Sequence, residues 1–284
     1  MEFLIMNGAG NRFAVFDGWP DVDGRGLELT DAQVRAVAEP GGRWMGELGA
    51  DQVVTVRPPK TPGADVFMEI RNRDGSHAGA CGNATRCVAW LWMREEGTDA
   101  CVVETVSGLL PSVRTGEHEV RVDMGAPKLD WRDIPLKEPM HTHHIDVKIG
   151  PIDNPVLSNP GAVSMGNPHC VFFVEDFTTA KPELVGPMVE YFPLFPEQAN
   201  VGFARVDARD RIRLKVWERG VGMTEACGSG ACAAVVAGVR QSRCDREADV
   251  ELDGGNLRIR WDAETDHVFM TGPVELEGEA VFTD

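Results

Sequence analysis

The run from Ala231 to Val239 consists only of small apolar residues, too many for a typical strand, and reads as a buried helix. It follows a cysteine set among glycines: Glu218-Arg219-Gly220-Val221-Gly222-Met223-Thr224-Glu225-Ala226-Cys227-Gly228-Ser229-Gly230-Ala231-Cys232. Upstream, Ile212 to Trp217 alternates apolar and polar and predicts a strand. Cys227 therefore stands where a strand turns into a helix N-terminus, beside unpaired N–H groups and the positive end of the helix dipole. Both favour thiolate over thiol.

The same device occurs earlier. Asn72-Arg73-Asp74-Gly75-Ser76 leads into Ala80-Cys81-Gly82-Asn83-Ala84-Thr85-Arg86-Cys87 and an apolar helix. Cys81 and Cys227 lie about half the chain apart, as two half-sites would. Asn7-Gly8-Ala9-Gly10-Asn11 before the strand Phe13–Asp17 is echoed by Ser164-Met165-Gly166-Asn167-Pro168-His169 before an apolar strand ending at Asp176. The two matching signals suggest an internal duplication.

Further strands are expected at 52–56, 67–72, 101–106, 110–114, 119–124, 144–149, 248–252, 256–261, 267–271 and 279–282, and a helix at 29–38 capped by Thr30 or Asp31. Strands outnumber helices. The fold class is α+β, with predominantly antiparallel sheet and one central helix per half. The first half is expected to cover 1–125 and the second 126–271.

Composition narrows the function. Hydrophobic content of 43% and charged content of 26% fit a soluble globular chain. A net charge of −17 without any Lys/Arg cluster argues against nucleic acid and anionic membranes as partners. No secretory signal, membrane span or disulfide spacing is evident, so a cytoplasmic protein with its seven cysteines free is expected.

Inverting a carbon that bears an acidic hydrogen needs a base on one face and an acid on the other. Two cysteines on facing helices meet that need when one is thiolate and the other thiol, with no cofactor. The helix N–H groups beside each sulfur can hold a carboxylate whose charge grows as the proton leaves. Neither GxGxxG nor GxxxxGK[ST] is present to suggest a nucleotide cofactor. Cys87, Cys101, Cys170, Cys232 and Cys244 have apolar neighbours and read as small buried hydrophobes. Zinc is disfavoured because Cys81-x5-Cys87 and Cys227-x4-Cys232 are not CxxC, and His141-Thr142-His143-His144 lies among prolines as an exposed loop or strand edge. A thiol-redox pair of Cys81 and Cys227 is the remaining rival. Asn11, Asn72, Asn167 and Asn200 lie in or beside loops at strand ends, where their amides can hold ammonium and carboxylate groups or cap their own turns.

With these motifs in view, the chain resembles the diaminopimelate epimerases over essentially its whole length. The resemblance rests on Asn7–Phe13, Gly49-Ala50-Asp51-Gln52, Asn72–Ser76, Cys81–Cys87, Ser164–Cys170, Asn200-Val201-Gly202-Phe203, Glu218-Arg219-Gly220 and Ala226–Cys232, in that order. It implies two pseudo-symmetric domains, each a sheet wrapped round one helix, with the site in the cleft between them and 272–284 returning to the first domain. It also implies cofactor-free interconversion of LL- and meso-2,6-diaminoheptanedioate, with Cys81 and Cys227 as the proton-transfer pair. Gly82, Asn83, Gly228 and Ser229 would hold the reacting carboxylate, with His169 and Glu218 near the reacting centre. Asn11, Gln52, Asn72, Asn167, Asn200 and Arg219 would line the pocket, and a homodimer is implied. The chain departs from the family pattern at Asn7, Arg12, the 46–49 loop, Ala84-Thr85 and Met223. A two-cysteine racemase of proline, hydroxyproline or another amino acid is the alternative.

Overall fold

The computed structural model describes residues 1–24, 26–151 and 153–283. They divide into two compact units, Met1–Asp123 with Thr271–Asp284, and Met124–Met270. The 272–284 segment expected to return to the first domain ends at Asp284, which lies outside the described residues.

The first unit opens with a hairpin, β1 (Glu2–Gly8) and β2 (Asn11–Asp17), in which Gly8 pairs with Asn11. Ala9 and Gly10 close it with φ of 55° and 95°, the two positive values of a type I′ turn. Asn7 Oδ1 accepts the Gly10 N–H at 2.9 Å and holds the turn. Helix α1 (Asp31–Ala38) starts from a capping box in which Thr30 and Gln33 satisfy each other's backbone N–H groups. Strand β3 (Gln52–Arg57) runs parallel to β2, and β4 (Val66–Asn72) runs antiparallel to β3. After the short β5 (His77–Ala78) comes α2 (Gly82–Glu96), which ends at Gly97 in the left-handed region. Strand β6 (Ala100–Thr105) lies parallel to β4, and β7 (Gly108–Gly116) and β8 (Glu119–Asp123) follow as an antiparallel meander. Helix α2 packs against β1, β2, β4, β6, β7 and β8, so ten of its fifteen residues are buried.

The second unit repeats this plan. After the two-residue strands β9 (Lys148–Ile149) and β10 (Leu157–Ser158) come β11 (Gly161–Ser164) and β12 (Pro168–Phe173). Helices α3 (Phe177–Ala180) and α4 (Pro182–Glu190) lead to β13 (Asn200–Ala208), β14 (Arg211–Glu218) and β15 (Gly222–Thr224). Helix α5 (Gly228–Arg240) is followed by β16 (Glu247–Glu251), β17 (Asn256–Trp261) and β18 (Val268–Pro273). From β11 to β16 the successive pairings are antiparallel, parallel, antiparallel and parallel, as they are from β1 to β6. Helix α5 packs against β11, β12, β13, β14, β16 and β17, with ten of its thirteen residues buried. The last strand, β19 (Glu275–Val281), pairs antiparallel with β1. The α+β class and the sheet-wrapped central helices are thus as the sequence predicts.

The period of two along β12 serves both faces of its sheet. Cys170 and Phe172 join the core beneath α4, with Val201, Phe203, Val185 and Val189. His169, one step along the pleat, reaches Ser229 at the start of α5 instead.

Two features differ from the sequence-based expectation. Residues 144–147 are not a strand, and only Lys148–Ile149 pairs. Ile145 and Val147 are buried, but their N–H groups bond to Pro160 O and Ile145 O rather than to a ladder. Helices α3 and α4 were not expected. Asp176 caps α3 through the Thr179 N–H, and Pro182 opens α4. Gly186 lets α4 sit directly on β14, since a Cβ there would lie 2.5 Å from Trp217 Cγ. Gly186→Ala is therefore expected to destabilise the protein by about 1–3 kcal/mol in urea unfolding, despite alanine's better helix propensity. A neutral or stabilising result would show that α4 can ride away from β14.

Candidate active site

In the first unit, Cys81 is the N-cap of α2, with extended backbone (φ −146°, ψ 109°), and is half-buried. Its carbonyl accepts both the N–H and the hydroxyl of Thr85, each at 2.9 Å, which fixes the first turn. Asn83, in that turn, is buried and donates its amide to Asn11 Oδ1 at 2.6 Å. Gln52 and Asn72 face each other across β3 and β4, and Gln52 Nε2 donates to Asn72 Oδ1 at 3.0 Å. Asn72 Nδ2 donates on to Ser76 Oγ at 3.1 Å. The structure thus gathers Asn11 at a strand end with Asn83 of α2, and Gln52 with Asn72 at two strand ends, within one unit.

In the second unit, Cys227 is the N-cap of α5, again extended (φ −125°, ψ 104°), and 5% exposed. Its sulfur accepts the Gly230 N–H at 3.3 Å and lies 3.6 Å from Ser229 Oγ. Asn167 Nδ2 donates to that hydroxyl at 3.3 Å, and His169 Nε2 lies 3.1 Å from it and 2.9 Å from Asn167 Oδ1. Burial, with a smaller contribution from the Arg219 charge, lowers the His169 pKa to about 3, so the ring is neutral near pH 7. Its Nδ1 is buried without a hydrogen-bond partner. A bare lone pair costs less there than an unpaired N–H, which places the proton on Nε2, donating to Asn167 Oδ1. The Ser229 hydroxyl, accepting from Asn167, is then free to donate towards Cys227.

Glu218 Oε1 accepts the Thr224 hydroxyl at 2.5 Å, and Asn200 Oδ1 accepts the Arg219 N–H at 3.0 Å. Asn200 Nδ2 donates to Pro168 O at 3.1 Å, so Asn200 ties the Arg219 loop to β12. Arg219 itself donates to Glu197 O at 2.8 Å. Sequence reasoning missed Glu190. This buried carboxylate at the end of α4 accepts Trp217 Nε1 at 2.7 Å and the Gly220 N–H at 2.8 Å, clamping the loop from both sides. Its signal in the sequence is faint, a lone acid after an apolar stretch that two prolines and a glycine obscure.

The other thiols contrast with the helix-capping pair. Burial raises Cys87 and Cys101 to about 12, Cys244 to about 11, and Cys170 still higher. The His141–His144 segment packs at the end of α5, where Arg240 donates to Thr142 Oγ1 and Gln241 to the His143 carbonyl. No group of three His, Cys, Asp or Glu that could hold a metal occurs among the described residues.

A model of the family described as diaminopimelate epimerase matches residues 3–129 and 161–277. The chain belongs to the diaminopimelate epimerase family. It is accordingly an enzyme, of the isomerase class. The diaminopimelate epimerase of Caulobacter vibrioides (strain NA1000 / CB15N) is 50% identical over 97% of this chain and 95% of its own length. That of Acidiphilium cryptum (strain JF-5) is also 50% identical, over 98% and 95%. Among solved structures, a probable proline racemase from Agrobacterium radiobacter K84 matches with a TM-score of 0.68 at 15% identity, covering 99% of this chain and 92% of that one. A hydroxyproline epimerase from Agrobacterium vitis gives 0.66 at 15% identity, over 98% and 90%. At such identities these two show a shared fold.

Asn7, Arg12 and the 46–49 loop, read above as departures from the family pattern, form one cluster. Arg12 donates to Met45 O and Gly49 O, each at 2.9 Å, and so holds the altered 46–49 loop. The same guanidinium pairs with Glu277 at 2.8 Å, and Asn7 Nδ2 donates to the other oxygen of Glu277 at 2.9 Å. Arginine, asparagine and loop are thus held together, anchored on β19.

The buried neutral histidine has a pH consequence. The unfolded chain carries His169 at an ordinary pKa near 6.5, whereas the folded value is about 3. Its contribution to stability is therefore complete above pH 6.5 and is lost progressively as pH falls towards 3. The melting temperature of wild type should fall more steeply across that window than that of His169→Gln. Parallel curves would mean that His169 takes up its proton in the folded state.

Proposed function

We propose that this protein interconverts LL- and meso-2,6-diaminoheptanedioate by proton transfer between the α-carbon and two cysteines, without a cofactor. One observation carries the reading. Cys81 and Cys227 occupy equivalent places, each the N-cap of the central helix of its unit, with extended backbone and a glycine immediately after. The family membership supplies the substrate.

The proton balance is simple. One cysteine, as thiolate, takes the α-hydrogen and becomes a thiol. The electron pair left on the carbon spreads into the carboxylate. The other cysteine, as thiol, returns a proton to the opposite face and becomes a thiolate. Nothing is oxidised, and the reverse reaction starts from the state so produced. The growing charge on the carboxylate is stabilised by the first N–H groups of the two helices, at Gly82, Asn83, Gly228 and Ser229. The sulfur of Cys227 already accepts one N–H, from Gly230, an arrangement that favours thiolate. The four other thiols with raised pKa values stay protonated near neutrality and take no part.

On this reading Glu218, oriented by Thr224, binds the ammonium of the reacting centre, and His169, its pKa lowered to about 3, is too weak a base to compete. Asn11, Gln52 and Arg219 recognise the distal amino-acid group, with Asn72 holding Gln52 in place. Asn200 acts through Arg219, and Asn167 through His169 and Ser229, because both of their amide ends are already engaged. The enzyme would serve lysine and peptidoglycan-precursor synthesis in the cytoplasm, as a homodimer. No described helix is long and apolar enough to cross a membrane.

Reduced protein incubated with LL-diaminopimelate in D2O, without pyridoxal phosphate, should give the meso isomer with deuterium at the α-carbon, read by chiral chromatography and mass spectrometry. Absence of conversion with free thiols would discard this substrate, and a panel including proline and hydroxyproline would follow. Cys81→Ser and Cys227→Ser should each lower epimerisation at least about a hundredfold while folding normally. Near-wild-type turnover by either would rule out the two-cysteine mechanism.

A further inference from the structure

Arg86 lies in the second turn of α2 and is the bulkiest of the fully buried side chains described. The place is costly for a cation. Burial strips its water, and the positive end of the helix dipole lies just ahead of it. Its packing is also tight, since a Cβ on Gly8 would lie 2.9 Å from Asn83 O and 3.4 Å from Arg86 Nη2.

What Arg86 does there is visible in its bonds. Nη1 donates to Asn83 Oδ1 at 2.8 Å, and Nε points to Pro273 O at 3.4 Å. A guanidinium has donors only, so Asn83 must turn its oxygen towards Arg86 and its NH2 group away. That NH2 group donates to Asn11 Oδ1 at 2.6 Å. With its oxygen taken, Asn11 must present its own NH2 group at the far end of the chain, where Asp51 Oδ2 is a long 3.5 Å away. Oxygen and nitrogen of an amide are nearly the same size, so two linked asparagines alone could run in either direction. A donor-only group at one end removes that freedom, and the acceptor-only Asp51 carboxylate at the other, though more distant, acts in the same sense.

We infer that Arg86 is a positioning residue that fixes the direction of the Asn83–Asn11 amide chain, so that Asn11 offers a donor to a carboxylate of the substrate. The inference rests on the dicarboxylate reading above. It assigns Asn11 to a carboxylate rather than to an ammonium group, and makes that choice a property of a buried residue that touches no substrate.

Three variants test it. Arg86→Lys keeps a donor-only cation and should leave KM for diaminopimelate within about threefold of wild type. Arg86→Met removes the donors at similar bulk and should raise KM about tenfold, with a smaller fall in kcat. Asn83→Asp keeps a partner for Arg86 but offers only acceptors, so Asn11 must turn its NH2 group inward, and KM should again rise about tenfold. Thermal melts check that each variant folds. Side-chain amide NMR reads the direction without substrate. Wild type should show a protected Asn83 NH2 and an exchanging Asn11 NH2, and Asn83→Asp should show Asn11 protected instead. Unchanged KM in folded Arg86→Met and Asn83→Asp, or an Asn11 amide that does not switch, would overturn the inference. An inactive wild type whose amide switch is present would instead overturn the function proposed above and leave the relay standing.

Discussion

Both units depend on one constraint, that a helix enclosed by strands on several sides cannot have a polar face. Helix α5 meets it with glycine, alanine, cysteine and valine, which let six strands approach closely. Helix α2 meets it with larger residues and places its one internal cation, Arg86, where partners exist. A helix held in this way cannot shift along its axis without breaking contacts on every side. Its N-terminus is then a fixed point, and the cysteine, glycine and small polar residue there are aimed by the whole sheet rather than by their own loop.

The loops around these fixed points are held by buried or half-buried charges. Glu190 grips the Trp217–Gly220 segment through a ring N–H and a backbone N–H, which leaves Glu218 and Arg219 between two anchors. Arg12 plays the same part in the first unit, spreading over two carbonyls and Glu277. Hydrogen bonds to charged groups are the stronger ones and demand a defined geometry. They suit a protein that holds its backbone turns in place without disulfides.

The parts legible in the sequence were those where local pattern and tertiary role agree. The strand, cysteine, glycine and apolar helix were visible twice because enclosure writes itself into composition. Thr30 marked the start of α1 for a similar reason, as its capping box is a local matter. Helix α4 escaped notice because Pro182, Gly186 and Pro187 read as breakers. In the fold, Pro182 opens the helix, and Gly186 is small because Trp217 lies against it. The 144–149 segment misled in the opposite sense. Its alternating Ile145 and Val147 are buried, but their N–H groups bond to Pro160 O and Ile145 O rather than to a ladder, and burial alone does not make one. The roles of Glu190 and Arg86 leave at most a faint signal in the sequence pattern, because their partners are distant or hidden in a helix turn.

Those two residues share a logic that the asparagines around them lack. An asparagine offers a donor and an acceptor of nearly equal size, so a pocket lined with amides has no inherent polarity. Polarity is supplied by neighbours that can act in only one sense. In the first unit Arg86 can only donate, and the chain through Asn83 to Asn11 runs outward from it. In the second, Pro168 O can only accept and the Arg219 N–H can only donate, so Asn200 has one orientation between them. Recognition of a zwitterion requires that donors and acceptors not be exchanged. One-way groups behind the amides secure that from a distance, and they leave the amides themselves neutral.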